Sequence, residues 1–148
     1  MARFSKLVVA SNDFLGRSIS DRKRAKKARK RGQIPSRSLH PKANELDVSV
    51  DKLNRCPQSN ECDYNDEHVR IAEQRDGTFY GWGYFTCEDV VKETPCTVKP
   101  DDFTGNPNHV RIFFPKSILG CTKRRNEIAT SLAELSRWKE YRDPTVET

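Results

Sequence analysis

Hydrophobic residues alternate with polar ones in three separate runs, and each alternation predicts a half-buried strand. Leu46, Val48 and Val50 alternate with Asp47 and Ser49, Val69 and Ile71 with His68 and Arg70, and Val110, Ile112 and Phe114 with His109 and Arg111. Asp76-Gly77 separates the second run from Thr78–Phe85. Such a pair is the preferred two-residue hairpin loop, because its positive φ angles match strand twist. In the strand that follows, Tyr80, Trp82 and Tyr84 share one face, with Phe79, Gly81, Gly83 and Phe85 on the other. Two glycines on one face predict a close approach there, or a bulge. Phe4, Leu7 and Val9 read as a first strand, and Val98 as a brief extended piece.

Two stretches carry helical spacing. From Thr122 to about Arg142, Ile128, Leu132, Leu135, Trp138 and Tyr141 fall three and four apart, widened by Ala129 and Ala133. Thr86–Glu93 reads as a short helix capped by Thr86 and closed by Pro95. The long helix must bury its stripe, and the hairpin sheet is its evident partner. Burying each large side chain contributes roughly 1.5–3 kcal/mol before entropy. The order of elements gives an α+β fold: a small antiparallel sheet of four to five strands, packed against a C-terminal amphipathic helix.

Charge changes this picture at the front of the chain. Residues 17–42 hold eleven Lys and Arg against one acid, Asp21, a net +10 in a chain whose total is +6. Residues 1–16 contribute +1, so residues 43–148 sum to −5. Ser20 suits an N-cap, Asp21 the first turn and Gly32 a stop, but only Ala25 and Ala28 interrupt the cations. Like charges over three turns repel, and an isolated helix of about eleven residues is marginal. Asp21–Arg31 is therefore expected to be disordered or fraying when free and helical only against a polyanion, within a basic, partly disordered segment 1–42 ahead of a domain at 43–148.

A cationic arm on a mildly acidic body suits a polyanion, RNA or DNA, gripped by Arg22, Lys23, Arg24, Lys26, Lys27, Arg29, Lys30 and Arg31. Lys123, Arg124 and Arg125 open the long helix, where cations oppose the macrodipole unless an anion docks on the exposed amides. Tyr80, Trp82 and Tyr84 could stack bases, although core packing is the commoner fate of strand aromatics. The common RNA-recognition signature is absent.

The leading expectation is a non-catalytic nucleic-acid-binding or accessory protein without cofactor or metal. One alternative is an adaptor whose arm meets an acidic protein, with loop 51–67 in contact. Another is a small enzyme using His109 with Asp101 or Asp102, since imidazole titrates near neutrality. Five cysteines at irregular spacing (Cys56, Cys62, Cys87, Cys96, Cys121) do not match structural zinc ligands, and a Cys56–Cys62 disulfide is sterically conceivable. No run approaches the ~20 apolar residues of a membrane span. A soluble intracellular protein without a membrane partner is expected, cytoplasmic, or nuclear in a host with a nucleus.

Overall fold

A computed structural model describes residues 9–42, 44–53, 56–58, 65–75, 77–101 and 109–141. Six strands form one antiparallel sheet: β1 (Phe14–Ile19), β2 (Asp47–Leu53), β3 (Gly81–Thr86), β4 (Thr97–Pro100), β5 (His109–Phe113) and β6 (Arg137–Glu140). Their order is β4-β5-β2-β1-β3-β6. Side chains alternate across each strand, so the sheet has two apolar faces. On one, Leu15, Ile19, Val48, Val50, Phe85, Val110 and Ile112 pack beneath α1 (Arg22–Arg31), α3 (Cys87–Glu93) and α4 (Thr122–Leu135). On the other, Leu53, Trp82 and Tyr84 form a smaller cluster with Phe79, covered by Val69 and Ala72 of α2 (Asn65–Gln74). The protein is α+β, as expected, with six strands rather than four or five.

The strands read at 46–50 and 109–114 and the short helix at 86–93 are present as β2, β5 and α3. Thr86 caps α3, its Oγ1 accepting from the Asp89 amide at 3.2 Å. Gly81 and Gly83 mark close approaches: a side chain at Gly81 would strike the Trp138 ring and the Lys139 carbonyl, and one at Gly83 the Ile34 side chain.

Three expectations are corrected. The run at 68–72 is helix α2, not a hairpin strand. Val69 and Ala72 stand three apart and turn to one face, while Arg, Glu and Gln between and after them favour helix. The Arg75 and Gly77 amides donate to the Ala72 carbonyl at 3.0 and 2.8 Å, ending α2. Asp76 of the expected turn lies outside the described residues.

The long helix stops at Leu135. Buried Ser136 donates its Oγ–H to the Ala133 carbonyl at 2.6 Å and accepts the Ile34 amide at 3.0 Å, turning the chain into β6. Trp138 and Tyr141 thus belong to the sheet edge and its extension, not to a helical stripe.

The basic segment is not an arm outside the domain. β1 lies between β2 and β3 in the sheet, and α1 is seated on the main core by Ala25 and Ala28, both 0% exposed. Asp21, rather than Ser20, is the cap, accepting from the Lys23 and Arg24 amides at 2.8 and 3.1 Å. Gly32 closes the helix at φ 72, donating its amide to the Ala28 carbonyl at 2.7 Å. Small side chains let the helix sit close while its cations stay in water. The expected strand at Phe4–Val9 falls largely among residues that are not described.

Packing of α1 has a direct consequence. Ala28→Glu buries an unpaired charge and should destabilise the protein by several kcal/mol, whereas Lys27→Glu, in water, should change stability by less than about 1 kcal/mol. Urea titrations of both variants check this; equal small effects would mean that α1 is unpacked.

The cap predicts a pH dependence. Amide donation, chiefly from Arg24, holds Asp21 below the ordinary carboxylate range. A depressed folded value means its stabilisation is complete above the unfolded value and lost as pH falls through the folded one. Asp21→Asn keeps the acceptor without titrating. The melting-temperature advantage of wild type over this variant should be constant at neutral pH and shrink below about pH 4. A constant advantage down to pH 2 would contradict the assignment.

Candidate functional site

α1 presents its cations outward. Arg22, Lys23, Lys26, Lys27, Lys30 and Arg31 are exposed, and none of the six is within ion-pair distance of an acid among the described residues. Arg29 is different. Its Nε and Nη2 donate to Glu140 of β6 at 2.6 and 2.7 Å, and its guanidinium lies 5.7 Å from the Tyr80 ring centre. It braces α1 against the sheet edge. Arg24 is half-buried at the foot of the helix, where it lines a cleft of about 500 Å³ with Ser36, Arg37, His40, Pro41 and Asn126.

The second basic group divides. Lys123 is exposed, and Arg124 pairs with Glu127 at 2.6 Å. Arg125 is buried, its Nη2 donating to the carbonyls of Pro41, Lys42 and Glu45 at 2.9, 2.6 and 3.2 Å. It pins the segment before β2 to α4 and faces no solvent anion. The aromatics also separate. Trp82 and Tyr84 are 1% and 4% exposed within the smaller cluster, so neither can stack a base, while Tyr80 is half-buried against the main core beside Arg29.

A second site lies where the sheet divides. β1 pairs with β3 over all six residues but with β2 only through Phe14, Leu15 and Gly16. Beyond Gly16 and Asp51 the two strands are not paired with each other. The Arg17 guanidinium fills the gap, its Nε donating to the Ser38 carbonyl at 3.1 Å and its Nη1 to the Ser49 carbonyl at 2.9 Å. Burial holds Arg17 below the ordinary arginine value; Arg24 pushes the same way and Asp51 opposes.

A cleft of about 230 Å³ opens over this gap on the α2 side, lined by Ser18, Ser49, Asp51, His68, Arg75 and His109 as well as Arg17. Two histidine–carboxylate pairs meet there. His68 Nε2 is 2.9 Å from Asp51 Oδ2, and His109 Nδ1 is 2.8 Å from Asp101 Oδ2. The Asp101 side chain is 1% exposed and also accepts from Arg111 Nε at 2.8 Å. Asp51 stands opposite His109 in the β2–β5 register, which puts their Cβ atoms roughly 5 Å apart. Of the two acids that the sequence places near His109, Asp101 is in contact with it, and Asp102 lies outside the described residues. Sequence reasoning missed His68, Asp51 and Arg75, because their meeting depends on α2 being a helix, and the burial of Arg17, because that depends on β1 lying inside the sheet.

Burial pushes the Cys87 and Cys96 thiols up. Cys62 is not described, so the Cys56–Cys62 pairing falls outside the described residues. No group of three or more His, Cys, Asp or Glu among the described residues could hold a metal ion. No described helix is long and apolar enough to cross a membrane.

Comparison of the chain with protein-family models, with curated proteins and with solved structures returns no match. The functional reading therefore rests on the geometry.

Arg17 is the keystone of the divided sheet. Arg17→Met removes charged donors from two carbonyls and should destabilise the protein by roughly 2–4 kcal/mol. Arg17→Lys should not restore this, since an ammonium lacks the planar fork that spans both carbonyls. Denaturant midpoints decide; losses below about 0.5 kcal/mol would contradict the role.

Proposed function

We propose that the protein binds nucleic acid through the outer face of α1. The observation that carries this is a capped, core-seated helix with six exposed cations, none within ion-pair distance of an acid among the described residues. Arg22, Lys23, Lys26, Lys27 and Lys30 recur at helical spacing, and over nine residues they run roughly 12 Å along the helix. That is a stripe suited to a phosphate backbone. Phosphate contacts position without reading sequence, so this surface supplies affinity and salt dependence, not base specificity.

A helix already folded on the core changes the energetics of binding. A disordered arm would lose affinity to the ordering of its backbone, whereas α1 meets its ligand in the binding conformation. Arg24 and Arg37, lining the adjoining cleft, extend the positive surface toward α4. Trp82, Tyr84 and Arg125 take no part, because they are buried.

Replacing Lys23, Lys26, Lys27 and Lys30 with Gln should leave the melting temperature nearly unchanged and weaken binding to RNA and DNA. The slope of log affinity against log salt on duplex DNA should fall in magnitude by roughly 0.9 for each lysine that meets a phosphate. Fluorescence polarization across a salt series measures it. An unchanged slope, or binding to acidic proteins alone, would contradict the reading.

A further inference from the structure

We propose that the cleft at the split between β1 and β2 is a catalytic site that cleaves single-stranded RNA, with His68 and His109 as its acid–base pair. The proposal draws on the nucleic-acid reading only for how a long substrate is brought to the protein. The cleft has its own chemistry.

Each imidazole is held by a carboxylate, and an ionised carboxylate can only accept. His68 therefore carries its proton on Nε2 toward Asp51, and His109 on Nδ1 toward Asp101. That leaves Nδ1 of His68 and Nε2 of His109 to take up or give a proton at a substrate. Asp51 and Asp101 are positioning residues, fixing tautomer and ring orientation. The His68 ring is further held edge-on to Trp82, with centroids 4.6 Å apart, and lies beside Phe79.

The remaining lining selects an anion. Arg17 supplies a fixed guanidinium in the floor of the split, and Arg75 an exposed one at the end of α2 with no ion-pair partner among the described residues. A volume of about 230 Å³ is below the roughly 300 Å³ at which pockets for whole small molecules begin, and suits one phosphodiester with parts of its sugars. Two fixed imidazoles beside guanidinium groups are the functions needed to transfer a phosphoryl group between oxygens, and the ribose 2′-hydroxyl provides the nucleophile.

The step balances within the substrate and the two histidines. One neutral imidazole takes the 2′-hydroxyl proton as O2′ bonds to phosphorus. The P–O5′ bond breaks, and the other imidazole, protonated, gives its proton to the departing O5′. A 2′,3′-cyclic phosphate and a 5′-hydroxyl end result. Proton exchange with water resets the pair.

The test uses the full chain with uridylyl-3′,5′-adenosine and with a fluorescent single-stranded RNA of mixed sequence, in chelator. Cleavage should yield a cyclic phosphate by mass spectrometry, and a strand with 2′-deoxy sugars should stay intact. His68→Gln and His109→Asn retain the side-chain N–H that faces Asp51 and Asp101, and each should lower kcat by about 100-fold or more. The wild-type rate should be bell-shaped in pH, each variant losing one limb. The charged groups that face the pair are Asp51 and Arg75 at His68, and Asp101, Asp51 and Arg111 at His109, with Arg17 beneath.

A substrate with sulfur at the bridging 5′ position leaves without a proton and should restore cleavage in one variant only, identifying the acid. No cleavage of either RNA by wild type, equal cleavage of the 2′-deoxy strand, or full activity in both variants would overturn the proposal. Failure of the nucleic-acid reading would look different: salt-sensitive binding of long strands would be absent while the dinucleotide was still cleaved.

Discussion

The six residues Phe14–Ile19 pair along their whole length with β3 but with β2 only from Phe14 to Gly16, and both candidate surfaces follow from that inequality. Full pairing on one side makes β1 an interior strand of the sheet, so the segment that leaves it at Ser20 begins from a fixed point. Asp21 caps the next turn at once, and α1 is laid on the core through two alanines. Short pairing on the other side opens the sheet. Arg17 closes that opening with bonds to two backbone carbonyls, and its charge becomes part of a cleft floor. A strand register thereby sets the position of a cationic helix on one face and of two imidazoles on the other.

The charge distribution gains meaning from this placement. Concentrated positive charge on a mobile arm would act at long range with little geometry. The same charge on a seated helix makes a stripe of fixed shape, backed by a body that is net negative beyond residue 43. Some cations are diverted to structure, namely Arg29 to Glu140, Arg125 to three carbonyls and Arg17 to the split. In each case a guanidinium was used, and the exposed stripe is mostly lysine. That division follows from chemistry: a planar fork can join several acceptors, whereas an ammonium stays readily hydrated. Arg24 lies close enough to Arg17 to lower its value, so the basic foot of α1 and the cleft floor share an electrostatic field.

Much of the architecture was legible where one periodicity ruled out the other. β2, β5 and α3 were readable because alternation or capping left a single interpretation. The segment Val69–Ala72 was not, since its apolar residues satisfy both a two-residue and a three-residue repeat, and only packing on Trp82 and Phe79 decides. Trp138 continued a helical spacing that Ser136 had already ended through its bond to Ile34, a contact between residues 102 positions apart. α1 looked unpacked because two alanines are a faint apolar signal, although small side chains are what a close helix–sheet approach requires. Of the site, His109 with Asp101 could be read from adjacency across a loop. His68 with Asp51 could not, because the alternation at 68–72 reads as a strand and only packing makes it the helix that brings His68 to Asp51.

The central claim is that α1 is a structural element of the free protein. Amide hydrogen exchange of the ligand-free chain at low ionic strength tests it most directly. The account predicts that the amides of Ala25–Gly32 exchange within the same slow class as those of β1 bonded to β3. Exchange of those amides at the rate of an unfolded peptide, slowing only when nucleic acid is added, would contradict it.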